Sequence, residues 1–261
     1  MIQKGTQAMS HRTSTLSTCA ALAVLASASH AFADVTVVVN ATKDATIFAT
    51  TTGADPGTAS GKGPGLFAGS DGNSRPKRSL VTFDVASAAI PANATILGVT
   101  MTMQLAQVAG QSDGSNLPQR TFRLFSVRQN WGEGPSGLPT KATLDGTGQG
   151  FTRQIGDSSW SFANFDQSPW TAGGDVVPTE IAAVTFAAPY VLSQSFTWST
   201  AGMLSDVRGW VAGTVPNNGW QIRNDAEATA TSFLAFWSKD GAAVNGNPAL
   251  APQLSITYTT P

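Results

Sequence analysis

Apolar and polar residues alternate with a period of two over much of this chain, the pattern of strands that bury one face. The clearest run is Val99-Thr100-Met101-Thr102-Met103-Gln104-Leu105, whose odd-numbered residues face a core. Leu254, Ile256 and Tyr258 alternate with Ser255, Thr257 and Thr259 in the same way. Further strands are expected at 35–39 and 45–50, parted by a turn from Asn40 to Asp44, and at 66–69, 80–85, 96–108, 121–127, 182–186, 195–198, 219–223 and 232–237. Stretches rich in Gly, Asn and Pro at 51–65 and 70–79 read as loops. The segment from Asn130 to Thr179 holds Trp131, Trp160 and Trp170 among many Gly, Pro, Ser and Asp residues, and reads as long loops rather than a second domain. One helix is expected from Met203 to Val211, where Leu204, Val207 and Val211 share a face and Ser199 or Thr200 can cap the start. About ten short strands and one short helix predict an all-β fold, a jelly-roll-like two-sheet β-sandwich forming a single domain over 34–261.

The first 33 residues have a different pattern. Lys4, His11 and Arg12 precede an apolar run from Leu16 to Ser29, and Ala31-Phe32-Ala33 is a small-x-small motif. This reads as a signal peptide, 1–33, cleaved near Ala33, and the expected location is secreted, extracellular or periplasmic. The run is too short to span a bilayer, and no other run approaches that length.

Cleavage would remove every Cys and His, because Cys19, His11 and His30 all lie within those 33 residues. Thiolate chemistry, disulfides and Ser-His-Asp catalysis are then excluded from the remainder. Loss of Lys4 and Arg12 leaves 13 basic against 16 acidic residues, a net charge of −3 and no electrostatic footprint for nucleic acid.

Short motifs follow one another along the chain in a particular order. They are Asp44-Ala-Thr-Ile47, Leu66-Phe-Ala-Gly69, Arg78-Ser-Leu-Val-Thr-Phe83-Asp84, Ile90 to Ile96, Val127-Arg-Gln-Asn-Trp131-Gly-Glu133-Gly134 and Gly156-Asp-Ser-Ser-Trp160. Pro169-Trp170-Thr-Ala-Gly173-Gly174-Asp175, Asp206-Val207-Arg-Gly-Trp210, Asn218-Gly219-Trp220, Phe236-Trp-Ser238-Lys239-Asp240 and Pro252 to Tyr258 follow. This order resembles the DNRLRE-domain family, also called disaggregatase-related repeats, over roughly Val35 to Thr259. Lys239-Asp240 stands where members often carry Arg-Glu, and Asn218-Gly219-Trp220 lacks a common Tyr. The resemblance implies a secreted jelly-roll domain similar to some alginate-binding carbohydrate-binding modules.

Candidate chemistry centres on four groups. Trp131, Trp160 and Trp170 offer faces on which a pyranose can stack, or they pin the loops to the sandwich. Arg75, Lys77 and Arg78 form the one basic cluster, suited to an acidic polysaccharide, or a solvated loop. Asp71 and Asn73 have the spacing of a partial calcium loop, or of an Asx turn. Glu133, Asp157 and Asp175 are the acids that a glycosidase would use, with Tyr190 or Tyr258 as a lyase base. No cofactor is certain, calcium being the one candidate. The expected function is a non-catalytic domain binding polysaccharide at a cell surface or in matrix. The rivals are a structural or adhesive protein without a sugar site and, behind it, a polysaccharide-cleaving enzyme.

Overall fold

The computed structural model describes residues 1, 5, 33–109, 118–144 and 146–261. The chain divides into two units, Met1–Ala31 and Phe32–Pro261, and the β fold belongs to the second. The expected signal peptide lies outside the described residues but for 1, 5 and 33.

The fold is all-β. Its strands are β1 (Val35–Phe48), β2 (Thr58–Ser60), β3 (Gly65–Ser70), β4 (Pro76–Phe83), β5 (Thr95–Val108), β6 (Arg120–Ser126) and β7 (Phe151–Thr152). After them come β8 (Phe162–Asn164), β9 (Ser168–Pro169), β10 (Ala182–Phe186), β11 (Ser195–Trp198), β12 (Trp220–Asn224), β13 (Leu234–Trp237) and β14 (Gln253–Thr259). Among the described residues there are two α-helices, α1 (Ala201–Val211) and α2 (Lys239–Val244), where the pattern predicts one. Ser238 caps α2 by accepting from the Gly241 N–H at 2.9 Å, a signal hidden by the helix's short length.

The turn expected at Asn40–Asp44 is instead the bend of one long strand. The first half of β1 pairs with β14 and its second half with β4, the change coming at a register shift between Ala41 and Lys43. The polar residues that mimic a turn have partners elsewhere in the fold: Thr42 donates to the Thr82 carbonyl of β4 at 3.3 Å, and Asp44 accepts the N–H of Lys239, the first residue of α2, at 2.7 Å. Likewise β4 starts at Pro76, inside the expected 70–79 loop. Because β1 serves both partners, the strands are not two separate sheets. Hydrogen bonding runs in a closed circuit, β1 to β14, β5, β13, β3, β4 and back to β1, every pair antiparallel. From β4 a wing extends through β12 and β6 to β10, and β11 joins β5.

The alternation read in β5 and β14 is the core: Met101, Met103, Leu105, Leu254 and Ile256 are fully buried. Phe122 meets Phe186, Phe196, Trp198 and Phe236 with ring centroids 5.6–6.4 Å apart. Burying one such side chain contributes about 1.5–3 kcal/mol. Helix α1, capped by Thr200, adds Met203, Val207 and Trp210 to this core. A second core lies on the other face of β1 and β4, where Trp131, Trp160 and Trp170 pack on Ala45, Ile47, Leu80 and Val127. It fastens the long middle segment to the outside of the barrel wall. No described helix is long and apolar enough to cross a membrane.

Candidate functional site

The structure buries all three candidate tryptophans. Trp131 is 1%, Trp160 5% and Trp170 9% exposed, so none offers a face on which a sugar could stack. Two of their indole N–H groups serve the framework: Trp131 donates to the Asn218 carbonyl at 2.9 Å and Trp170 to the Ser159 carbonyl at 3.0 Å. Cations cover two of the rings, Lys43 over Trp131 at 4.3 Å and Arg78 over Trp160 at 4.7 Å.

At the calcium candidates, Asp71 and Asn73, protein groups already occupy the carboxylate. The Asp71 carboxylate is surrounded by donors: Lys77 Nζ at 2.8 Å, Arg75 Nε at 2.8 Å and the N–H groups of Asn73 and Arg75 at 2.9 and 3.2 Å. Burial alone would raise this carboxyl, yet the Lys77 ammonium and the two N–H bonds hold it at about 2. The loop is an Asx turn, and its oxygens are already committed. Lys77 is buried with Asp71, so the basic cluster is not one surface patch.

Of the acids read as an acid/base set, Glu133 and Asp157 are engaged by the framework. Glu133 accepts from Lys62, from Lys239 Nζ at 2.9 Å and from the Asp44 N–H at 3.0 Å. Asp157 is fully buried and accepts the Gln154 and Ser136 N–H groups at 2.5 and 3.1 Å. Tyr190 is buried, its hydroxyl near the Pro118 and Phe186 carbonyls, and burial raises its pKa. Carboxylate oxygens of Asp44, Glu133 and Asp240 come within 4.8 Å of one another. However, Lys62 and Lys239 reach into that group, so ammonium ions already supply the positive charge.

Of the predicted residues, Arg78 leads to a site. It lies on the outer face of β4, with its guanidinium bound to both oxygens of Glu227 at 3.0 and 2.6 Å and to the Gly173 carbonyl at 2.9 Å. Gly173 and Gly174 take φ of +86° and +93°, and a Cβ at Gly173 would fall on that guanidinium. This glycine pair therefore seats Arg78 on Trp160. In the β4–β12 pairing Ile222 faces Ser79, so the next residues, Arg223 and Arg78, are neighbours. On the other side Arg223 faces Arg123 of β6 directly.

Three arginines thus stand in a row across β4, β12 and β6. Neighbouring strands are about 4.8 Å apart, so the row spans roughly 10 Å. Arg123 pairs with Glu180, and Arg78 with Glu227. Arg223, in the middle, has no carboxylate within ion-pair distance among the described residues. It lies over Phe125 at 4.5 Å and donates to Gln221 Oε1 at 2.5 Å. Burial, and then the charge of Arg78, bring it down to about 10, still cationic at neutral pH. Like charges directly opposite each other across strands are destabilising. The row escapes a reading of the sequence because alternation gives the outward face of each strand but not the register that aligns Arg78, Arg223 and Arg123.

No family model matches this chain, and no curated protein matches it either.

Proposed function

We propose that this chain is a secreted, non-catalytic domain that binds an acidic polysaccharide through the arginine row of β4, β12 and β6. The observation that carries the reading is Arg223, a cation held between two others without an acid of its own among the described residues. A carboxylate of a polyuronate chain placed there relieves the repulsion and gains charge-assisted, bidentate bonding. Neighbouring carboxylates of the same chain can compete with Glu227 and Glu180 for the flanking arginines. Phe125 and Trp160 stiffen the guanidinium planes from beneath. The motif order that resembles the DNRLRE-domain family supports the same reading. The non-catalytic half of the proposal rests on the engagement of Glu133, Asp157 and Tyr190 in the framework. The proposed export rests on the first 33 residues, and N-terminal sequencing of the exported protein should begin at or near Asp34.

The test is titration of alginate and pectate into the wild-type chain and Arg223→Gln at 20 and 300 mM salt. The expected result is binding at low salt that weakens at high salt and falls tenfold or more in Arg223→Gln. The melting temperature should hold or rise, because a repulsion is removed. Absence of polyuronate binding at low salt, or equal binding by the variant, overturns the reading.

A further inference from the structure

A cleft of about 350 Å³ opens where the C-terminal end of α1 meets the end of β6, lined among others by Ser126, Arg128, Val177, Asp206, Trp210 and Val215. Its size is at the lower end of the range for small-ligand pockets. One carboxylate oxygen is fixed: Asp206 Oδ2 accepts from the Ser126 hydroxyl at 2.6 Å and from Trp220 Nε1 at 2.8 Å. Asp206 Oδ1 has no hydrogen bond among the described residues, and neither has the exposed guanidinium of Arg128. The indole N–H of Trp210 has none there either, while its ring packs on Trp220 at 4.8 Å. Val177 and Val215, 36% and 48% exposed, form an apolar rim.

The cleft therefore gathers one fixed acceptor, two kinds of donor and an apolar wall, with the charges of Asp206 and Arg128 cancelling. We infer that it is a second binding site, which takes a single uncharged pyranose unit, a sugar presenting vicinal hydroxyls to Asp206 and Arg128 and a C–H face to Val177 and Val215. An Asp carboxylate accepts from two adjacent hydroxyls and an Arg donates to their lone pairs, so the pair reads a diol in both directions. A polyanion gains nothing here, because Asp206 repels it. The inference goes beyond the arginine row and does not depend on it: Glu180 points to Arg123 on the outer face of the wing, while Thr179 and Ile181 line the cleft.

The experiment titrates cello-, manno-, galacto- and xylotetraose into ¹⁵N-labelled wild-type protein, Arg128→Ala, Asp206→Asn and Arg223→Gln. At least one neutral tetraose should shift the indole N–H resonance of Trp210, assigned with Trp210→Phe. Its affinity should be unchanged between 20 and 300 mM salt and in Arg223→Gln. The Arg128 side chain is exposed, so Arg128→Ala should keep the wild-type melting temperature while affinity falls fivefold or more. Asp206→Asn keeps an acceptor for Trp220 and should bind more weakly as well. No shift of the Trp210 indole with any of the four sugars at 10 mM overturns the proposal, as does undiminished affinity in Arg128→Ala. Loss of polyuronate binding with neutral-sugar binding intact would defeat the arginine-row reading alone.

Discussion

Asp44 shows how far one residue can depart from its ordinary chemistry. It is fully buried, and burial, reinforced by the charges of Glu133 and Asp240, pushes its carboxyl up to about 8, although Lys239 opposes the shift with its N–H and its charge. In the unfolded chain the same group ionises near 3.8. Folding therefore takes up a proton between about pH 4 and pH 8. The stability this group contributes is complete below pH 4 and is lost as pH rises towards 8. Asp44→Asn keeps an acceptor for the Lys239 N–H and removes the proton uptake. The melting temperature of wild type should fall more steeply from pH 5 to pH 8 than that of the variant, and parallel slopes would contradict the assignment. Asp71 works in the opposite sense and at lower pH. Its carboxyl is held at about 2, so its contribution is present above pH 4 and fades only as pH falls towards 2.

At the scale of elements, alternation is a reliable guide and composition is not. Leu254, Ile256 and Tyr258 are legible as the inner face of β14, and all three are buried. A carboxylate introduced by Ile256→Asp has no partner there and should cost several kcal/mol, on the order of an uncompensated buried charge, read as a lower melting temperature. Ser255→Asp on the opposite face should shift it far less. Asn40 to Asp44 and Ser70 to Ser79 carry turn residues, yet they contain the bend of β1 and the start of β4. Local composition does not reveal that Asp44 is to be capped by Lys239, 195 residues away. The same limit hides the functional candidate. Arg123 and Arg223 each sit on a strand whose alternation is plain, but only the pairing of β6 with β12 brings them face to face. The tryptophans mislead in the other direction: loop-like sequence suggests exposed platforms, whereas the loops are long enough to build a core of their own around Trp131, Trp160 and Trp170.

At the scale of the whole molecule, the closing pair of the circuit sets how the domain carries load. Val35 lies opposite Tyr258 and Asn40 opposite Gln253, so the two antiparallel strands enter and leave the fold side by side. Tension applied at Asp34 and Pro261 acts across this ladder rather than along it. Rungs then break in succession from the Val35 end, each rupture loading only the next, as a zip opens. A domain joined to neighbours through these two points should yield at low force in single-molecule pulling. Attachment through Asp34 and Pro252, at opposite ends of the same ladder, would load β1 and β14 in shear, all rungs together, and should raise that force. Under such strain the first region of the domain to give way would be the β1–β14 ladder, with the wing of β4, β12 and β6 and its arginine row still intact.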